Sequence, residues 1–443
     1  MATREDIITT AAPARPAPVA TATENYARPL AIVTTLFFMW GFLTSLNDIL
    51  VPHLKSIFDL NYTHVMLVQF AFFSAYFLFS IPWSKIVDTI GYQKTMVVGL
   101  LTMGIGSVLF VPAASVPSFP LFLTALMILA AGITGLQVAA NPYVIVLGKS
   151  ETASSRLNLT QAFNSLGTTL APMVGGLLIL SGAPLAIEEL HQLSPQALRA
   201  FRLEQAASVK MPYIVISAAL VLLAVAIAKF KLPKIEHVEG RPGQQIKDSI
   251  WKHPNLVFGA LGIFAYVGAE VSIGSFLVSY LGQPYVAGFS AKIAAGYVSF
   301  YWGGAMLGRF IGAAALQRFK TGRLLAICSV CTATLVVASM LTTGHVAMWS
   351  MIAVGFFNSI MFPSIFTLGV AELGPLTGTG SGLMNMAIVG GAIVPVIQGA
   401  IADRIGIHHA FFMPVICYLY ILFYALKGSM PNSVRHAGEP ANV

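Results

Sequence analysis

Long apolar runs, separated by short breaks of charged, proline or glycine residues, set the pattern of this chain. Reading runs against breaks predicts twelve helices, over roughly residues 30–52, 65–87, 94–115, 120–147, 157–181, 211–231, 254–281, 290–315, 323–343, 346–371, 381–403 and 408–427. Each is close to the ~20 apolar residues that carry a helix across a hydrocarbon core about 30 Å thick. Two polar stretches interrupt the series. Residues 229–253 are basic and divide the helices into six and six, which reads as a tether. In the stretch 182–210, Ser194 and Pro195 have the chemistry of an N-cap and a first helical position, predicting a short interfacial helix. Residues 1–28 are rich in Ala, Pro and Thr without an apolar core, and read as a disordered tail rather than a cleaved signal.

The two sets of six are copies. A shift of 221 residues superimposes Pro142, Gly148 and Glu151 on Pro363, Gly369 and Glu372, and a shift of 223 superimposes Gly167, Pro172 and Gly176 on Gly390, Pro395 and Gly399. Two nearly equal offsets on either side of a basic linker mean a duplicated unit in parallel orientation. The expected fold is therefore an all-α membrane protein of two pseudo-symmetric six-helix bundles that rock about a site between them. The expected divisions are a cytoplasmic tail (1–28), one bundle (29–231), a cytoplasmic linker (232–253), a second bundle (254–428) and a second cytoplasmic tail (429–443).

Composition agrees with this reading. Of 443 residues, 56% are hydrophobic and 9% charged, against about 25% charged in soluble domains; a soluble enzyme is excluded. The net charge of +8 does not point to nucleic acid, because no basic stripe with interleaved aromatics occurs. Most Lys and Arg instead fall on one side of the helix series, leaving Lys55, Arg199, Arg202, Lys210, Lys292 and Arg404 on the other. The positive-inside rule then places both termini in the cytoplasm of a bacterial inner membrane. Cys328, Cys331 and Cys417 lie in apolar runs with no completing ligand set, and read as small core residues. No cofactor, nucleophile, metal or phosphate motif is present.

Within this apolar background a few polar residues stand out. The first helix, FFMWGFLTSLNDILVPHLK, carries Asp48. A charge at the bilayer centre costs at least about 2.5–3.5 kcal/mol, so it implies a function. The repeat places Asp48 one position from the equivalent of Glu270, and Gln137 on Asn358, so each half offers a carboxylate and a carboxamide to the shared cleft. Such groups hydrogen-bond sugar hydroxyls, while an aromatic gives a flat apolar face to a ring. Trp40 lies two turns before Asp48, with Thr44 between them on one face and Asn47 adjacent. Asn141, just before Pro142, joins the candidate set, although a structural role at a kink suits it as well. No Lys or Arg is expected at a helix centre, which leaves Asp48 and Glu270 able to exchange a proton; the alternative for each is a salt bridge. At the cytoplasmic ends Asp88, Glu151, Arg156, Arg309 and Glu372 suggest a gate of charged pairs, against plain solvated loop charge.

The stretches FFMWGFLTSLNDILVPHLKSIF, AGITGLQVAANPYVIVLG and RLNLTQAFNSLG resemble the fucose:proton symporter family of the major facilitator superfamily, and the segment from Asp88 to Lys94 is similar to a degenerate copy of the superfamily's loop motif. The resemblance covers about residues 30–428. It implies a twelve-helix transporter with alternating access, a proton-coupling and substrate role for Asp48, a match for Trp40, and sugar ligands at Gln161 and Asn164. Two departures matter: Gln137 stands where the fucose symporters have glutamate, and Phe362 where they have tyrosine. YVGAEVSIGSFL, with Glu270, is more similar to the glucose/galactose branch. The expectation is a monomeric, cation-coupled importer of a hexose, with H⁺ as the coupling ion and Na⁺ at Asp48 as the alternative. A sugar-responsive receptor would want a signalling domain, and a drug antiporter fits poorly with so many carboxamides.

Overall fold

The computed structural model describes residues 26–58, 62–115, 118–179, 194–233 and 249–430. Their secondary structure is helical, in twelve long segments: α1 Ala27–Phe58, α2 Tyr62–Ile90, α3 Tyr92–Ser115, α4 Phe119–Val146, α5 Ala153–Ile179, α6 Lys210–Lys229, α7 Pro254–Leu281, α8 Ala291–Ala315, α9 Thr321–Leu341, α10 Gly344–Gly369, α11 Gly374–Ile405 and α12 Ile407–Gly428. Ten of these are long and apolar enough to cross a membrane by length and composition. The other two, α5 and α8, carry the polar residues Asn158, Gln161, Asn164 and Arg309. A short helix, Pro195–Ser208, precedes α6, and the Ser194 hydroxyl accepts from the Ala197 amide at its start (3.3 Å) as its sequence predicts. Cys328 and Cys417 are buried free thiols and Cys331 is half-buried. Residues 234–248 of the tether lie outside the described part.

Packing repeats between the halves. In the first bundle α1 packs on α5, α2 on α4, and α3 on α4 and α6; in the second, α7 packs on α11, α8 on α10, and α9 on α10 and α12. The two bundles meet along α2 with α11 and along α5 with α8. Glycine sets the closest approach at equivalent places. A Cβ on Gly167 would fall 2.3 Å from the Phe38 carbonyl of α1, and one on Gly390 would fall 2.1 Å from the Phe264 carbonyl of α7. Small residues let membrane helices touch backbone to backbone, where apolar side chains gain nothing over lipid.

Three predicted helices are not regular throughout: the eleventh has a 3-10 turn at Ala387–Val389, the twelfth is interrupted at Phe411 and ends in a π turn, and the tenth bears on the site. The tenth helix is not continuous but breaks at Ser359 and Ile360, between Gly344–Asn358 and Met361–Gly369. Pro363 has no N–H for the carbonyl four residues back and its ring crowds that carbonyl. The freed Ser359 oxygen is taken up by Arg309, whose Nε donates to it at 3.4 Å. Pro142 also lacks an N–H, inside α4, which stays continuous from Phe119 to Val146, and the Val138 carbonyl it frees accepts the Ser381 hydroxyl of α11 at 3.0 Å.

Candidate functional site

The first helix positions four of the candidate residues. Trp40 is 4% exposed and its ring lies 4.2 Å from that of Phe37, so it is packed within the bundle rather than presented as an open platform. Thr44 donates its hydroxyl to the Trp40 carbonyl at 2.8 Å. Asn47 and Asp48 belong to α1, but their side chains lie outside the described residues. Asn164 of α5 donates to the Phe37 carbonyl at 3.0 Å and so ties α5 to α1.

The repeat-related carboxamides occupy equivalent settings. Gln137 of α4 donates from Nε2 to the Tyr76 hydroxyl of α2 at 2.8 Å. Asn358 of α10 donates from Nδ2 to the Tyr301 hydroxyl of α8 at 2.9 Å. Both amides are buried. An amide donating to a phenol leaves that oxygen's proton free to be donated onward, the kind of group a hydroxylated ligand can engage. Asn141 is fully buried, and neither end of its amide has a hydrogen-bond partner among the described residues. The two tyrosines were not among the residues singled out from sequence. They stand in aromatic runs, FAFFSAYFLF and SFYWGG, where nothing sets one ring apart from the next.

Glu270 is not isolated. Tyr266, one turn earlier on α7, donates to Glu270 Oε1 at 2.7 Å, and Arg309 Nη2 lies 3.9 Å from the same oxygen. Their side chains are only 14% and 12% exposed. Arg309 lies within α8, six residues before its end at Ala315, and its side chain reaches inward to give Glu270 the salt-bridge partner that was its alternative reading. Its guanidinium spans three other helices, donating to the Gln161 carbonyl of α5 (3.4 Å), the Ser165 hydroxyl of α5 and the Ser359 carbonyl of α10. Tyr301 lies within electrostatic reach of both charges. Arg309 therefore joins Glu270, Gln161 and Asn358 in one polar centre, not a set of charged loops. The spacing of Tyr266 and Glu270, four residues apart on one helix face, was the signal available for that contact.

The remaining charged candidates, Asp88, Arg156, Glu151 and Glu372, lie at the end of the molecule that holds the turns after α2, α4 and α10. There Asp88 receives the Thr379 hydroxyl at 3.3 Å, and a Cβ on Gly378 would fall 2.2 Å from Asp88 Oδ1; glycine lets the carboxylate sit against the first turn of α11. An anion at a helix N-terminus is favoured by the exposed N–H groups and the helix dipole. Arg156 turns inward to its own bundle, donating to the carbonyls of Val144 (3.2 Å), Ile145 (2.7 Å) and Lys149 (2.7 Å) where α4 ends. Glu151 and Glu372 are exposed at the matching turns, Glu372 with a positive φ of 60°. Hydrogen bonds from bundle to bundle cluster toward this end, including Thr321 to Ser154 (2.9 Å), Ser155 to the Ala313 carbonyl (2.6 Å) and Asn158 to the Arg309 carbonyl (2.7 Å). An apolar groove of about 890 Å³ between α1, α5 and α6 contains none of these polar residues and is separate from the site.

The sequence and the fold match known proteins. The family model of the major facilitator superfamily matches residues 32–389. A glucose/galactose transporter of Brucella abortus is 53% identical over 92% of this chain and 95% of its own length. The L-fucose-proton symporter of Escherichia coli is 34% identical over 90% of this chain and 93% of its own. A crystal structure of the transporter FucP in the outward conformation superimposes with a TM-score of 0.82 at 33% identity, covering 91% of this chain and 99% of that one. The chain belongs to the major facilitator superfamily, within its family of fucose:proton symporters and glucose/galactose transporters.

Proposed function

We propose that this protein imports a hexose such as glucose or galactose across a bacterial inner membrane, coupled to H⁺, by alternating access between its two bundles. The observation that carries this reading is the 53% identity to a named glucose/galactose transporter across nearly the whole of both chains. The relatives are named as transporters, not enzymes. Both termini, the tether and the end where the bundles are joined face the cytoplasm, so the structure corresponds to an outward-facing state; its likeness to FucP in the outward conformation supports this.

In this reading the sugar sits between the bundles, met by Gln137 and Gln161 of the first and by Asn358 and Glu270 of the second, with Tyr76 and Tyr301 holding two of the amides in place. Asn47, Asn141 and Asn164 extend the polar lining, and Trp40 and Thr44 support the first helix beside it. Asp48 is the coupling carboxylate: proton binding removes a charge that opposes closure of the loaded cleft, and proton loss to the cytoplasm resets it. Of the charged residues expected to gate the cytoplasmic side, Asp88 on α11 and Arg309 on α5 make the bundle-crossing contacts, while Arg156 holds the end of α4 in its own bundle and Glu151 and Glu372 stand exposed at the matching turns. Gln137, where fucose symporters carry glutamate, leaves fewer titrating groups in the first bundle and keeps Na⁺ at Asp48 as the competing reading.

The test is hexose uptake in proteoliposomes with imposed pH or Na⁺ gradients. The reading expects proton-dependent accumulation by the native protein. Asp48→Asn is expected to retain sugar exchange while losing accumulation; accumulation by this variant would remove Asp48 from the coupling role.

A further inference from the structure

Arg309 is held from both sides of the bundle interface, and the two sides are unequal. Glu270 on α7 and the Ser359 carbonyl on α10 belong to its own bundle. The Gln161 carbonyl and the Ser165 hydroxyl belong to α5 of the other. When the bundles rock, groups within one bundle move together and only crossing contacts change. The contacts of the Arg309 side chain therefore divide into a pair that persists and a pair that must break, and the hydrogen bond from the Asn158 amide of α5 to the Arg309 carbonyl breaks with the second pair. The persistent pair also explains why the guanidinium can stay in the membrane interior in both states: an unpaired charge there is costly, and Glu270 with a proline-freed carbonyl provides a standing partner set.

We propose that Arg309 is a positioning residue for transport: an ionic bolt anchored in the second bundle by Glu270 and Ser359 that engages α5 through Ser165 and Gln161, and whose withdrawal from α5 opens the end closed in this structure. The inference rests on the alternating-access reading above. It also gives the bolt a route to sense ligand, because the α5 turn that receives Arg309 carries the Gln161 side chain, which is 6% exposed and a candidate sugar ligand. Glu270 then serves as the anchor of the bolt as well as a cleft carboxylate.

The experiment uses the full-length protein in liposomes, spin-labelled at the exposed positions Ser150 and Gln317, on opposite bundles at the closed end. Distances between labels report opening with and without glucose or galactose, alongside counterflow. Arg309→Gln and Ser165→Ala are each expected to raise the open-to-closed ratio roughly tenfold without sugar, the scale of losing one charge-assisted hydrogen bond. The double variant should go no further than the larger single change, because both remove the same contact. Arg309→Lys should restore part of the closed population by keeping the charge while losing the fork. An unchanged distance distribution in Ser165→Ala, a small substitution expected to fold, would overturn the proposal; so would additive effects of the two changes. If instead neither sugar moves the labels nor exchanges in the native protein, the hexose reading fails, while the sugar-free effect of Ser165→Ala still decides the bolt.

Discussion

A carboxamide inside a membrane has two donors and two acceptor lone pairs to satisfy and few neighbours able to do it. Gln137 and Asn358 each place one N–H on a tyrosine hydroxyl of the next helix but one, at 2.8 and 2.9 Å. Removing either hydroxyl leaves a buried donor without its acceptor, a loss of about 1–3 kcal/mol, and frees the amide to leave its orientation. Tyr76→Phe and Tyr301→Phe are therefore expected each to raise KM for hexose about tenfold in radiolabelled uptake, with the maximal rate less affected; unchanged KM in both would remove the tyrosines from the site. The amides themselves were legible in the sequence, because a polar residue in an apolar run is conspicuous and the repeat pairs them. Their tyrosines were not, since rings surrounded by rings carry no such contrast. Arg309 was visible as a charge near the expected cytoplasmic end of its helix. What spacing along the chain could not convey is the reach of its long side chain, which extends to Glu270 of α7 and to α5.

At the scale of elements, helix identity and order followed from hydrophobic length, and the matching Gly and Pro positions told which elements are equivalent. What the pattern of lengths could not convey was where a helix is interrupted, because a proline in a membrane helix is tolerated when neighbours supply donors; those neighbours, Arg309 and Ser381, come from distant parts of the chain. The glycine crossings are the element-scale feature most open to test. At Gly167 and Gly390 an added methyl would collide with a carbonyl of the partner helix at 2.3 and 2.1 Å, and backbone gives way less readily than a side chain. Gly167→Ala and Gly390→Ala should each cost roughly 1–3 kcal/mol by overpacking. Both should lower the thermal unfolding midpoint in detergent by similar amounts, whereas Gly296→Ala, where a Cβ meets nothing within 4 Å, should leave it unchanged. Equal stability for all three would mean that these crossings are not close-packed in solution.

For the molecule as a whole, closure at one end depends on a few contacts between rigid bundles. Asp88 lies against α11 because residue 378 is glycine. Gly378→Val should force the carboxylate away and weaken the closed arrangement. In a background lacking Cys328, Cys331 and Cys417, a cysteine introduced by Ser154→Cys, at a position 3% exposed, should then react severalfold faster with a membrane-permeant maleimide than without the valine. An unchanged rate would show that Asp88 does not hold this end. The two prolines add a difference between halves whose helix packing otherwise repeats. The carbonyl freed by Pro363 is served by Arg309 of its own bundle and keeps that donor throughout. The carbonyl freed by Pro142 is served by Ser381 from the opposite bundle, and separation at this end takes its donor away. Under the proposed alternating access, hydration follows the motion: a water molecule has to reach Val138 as the bundles part and be expelled as they rejoin. Wetting of α4 beside Pro142 then becomes part of each turnover.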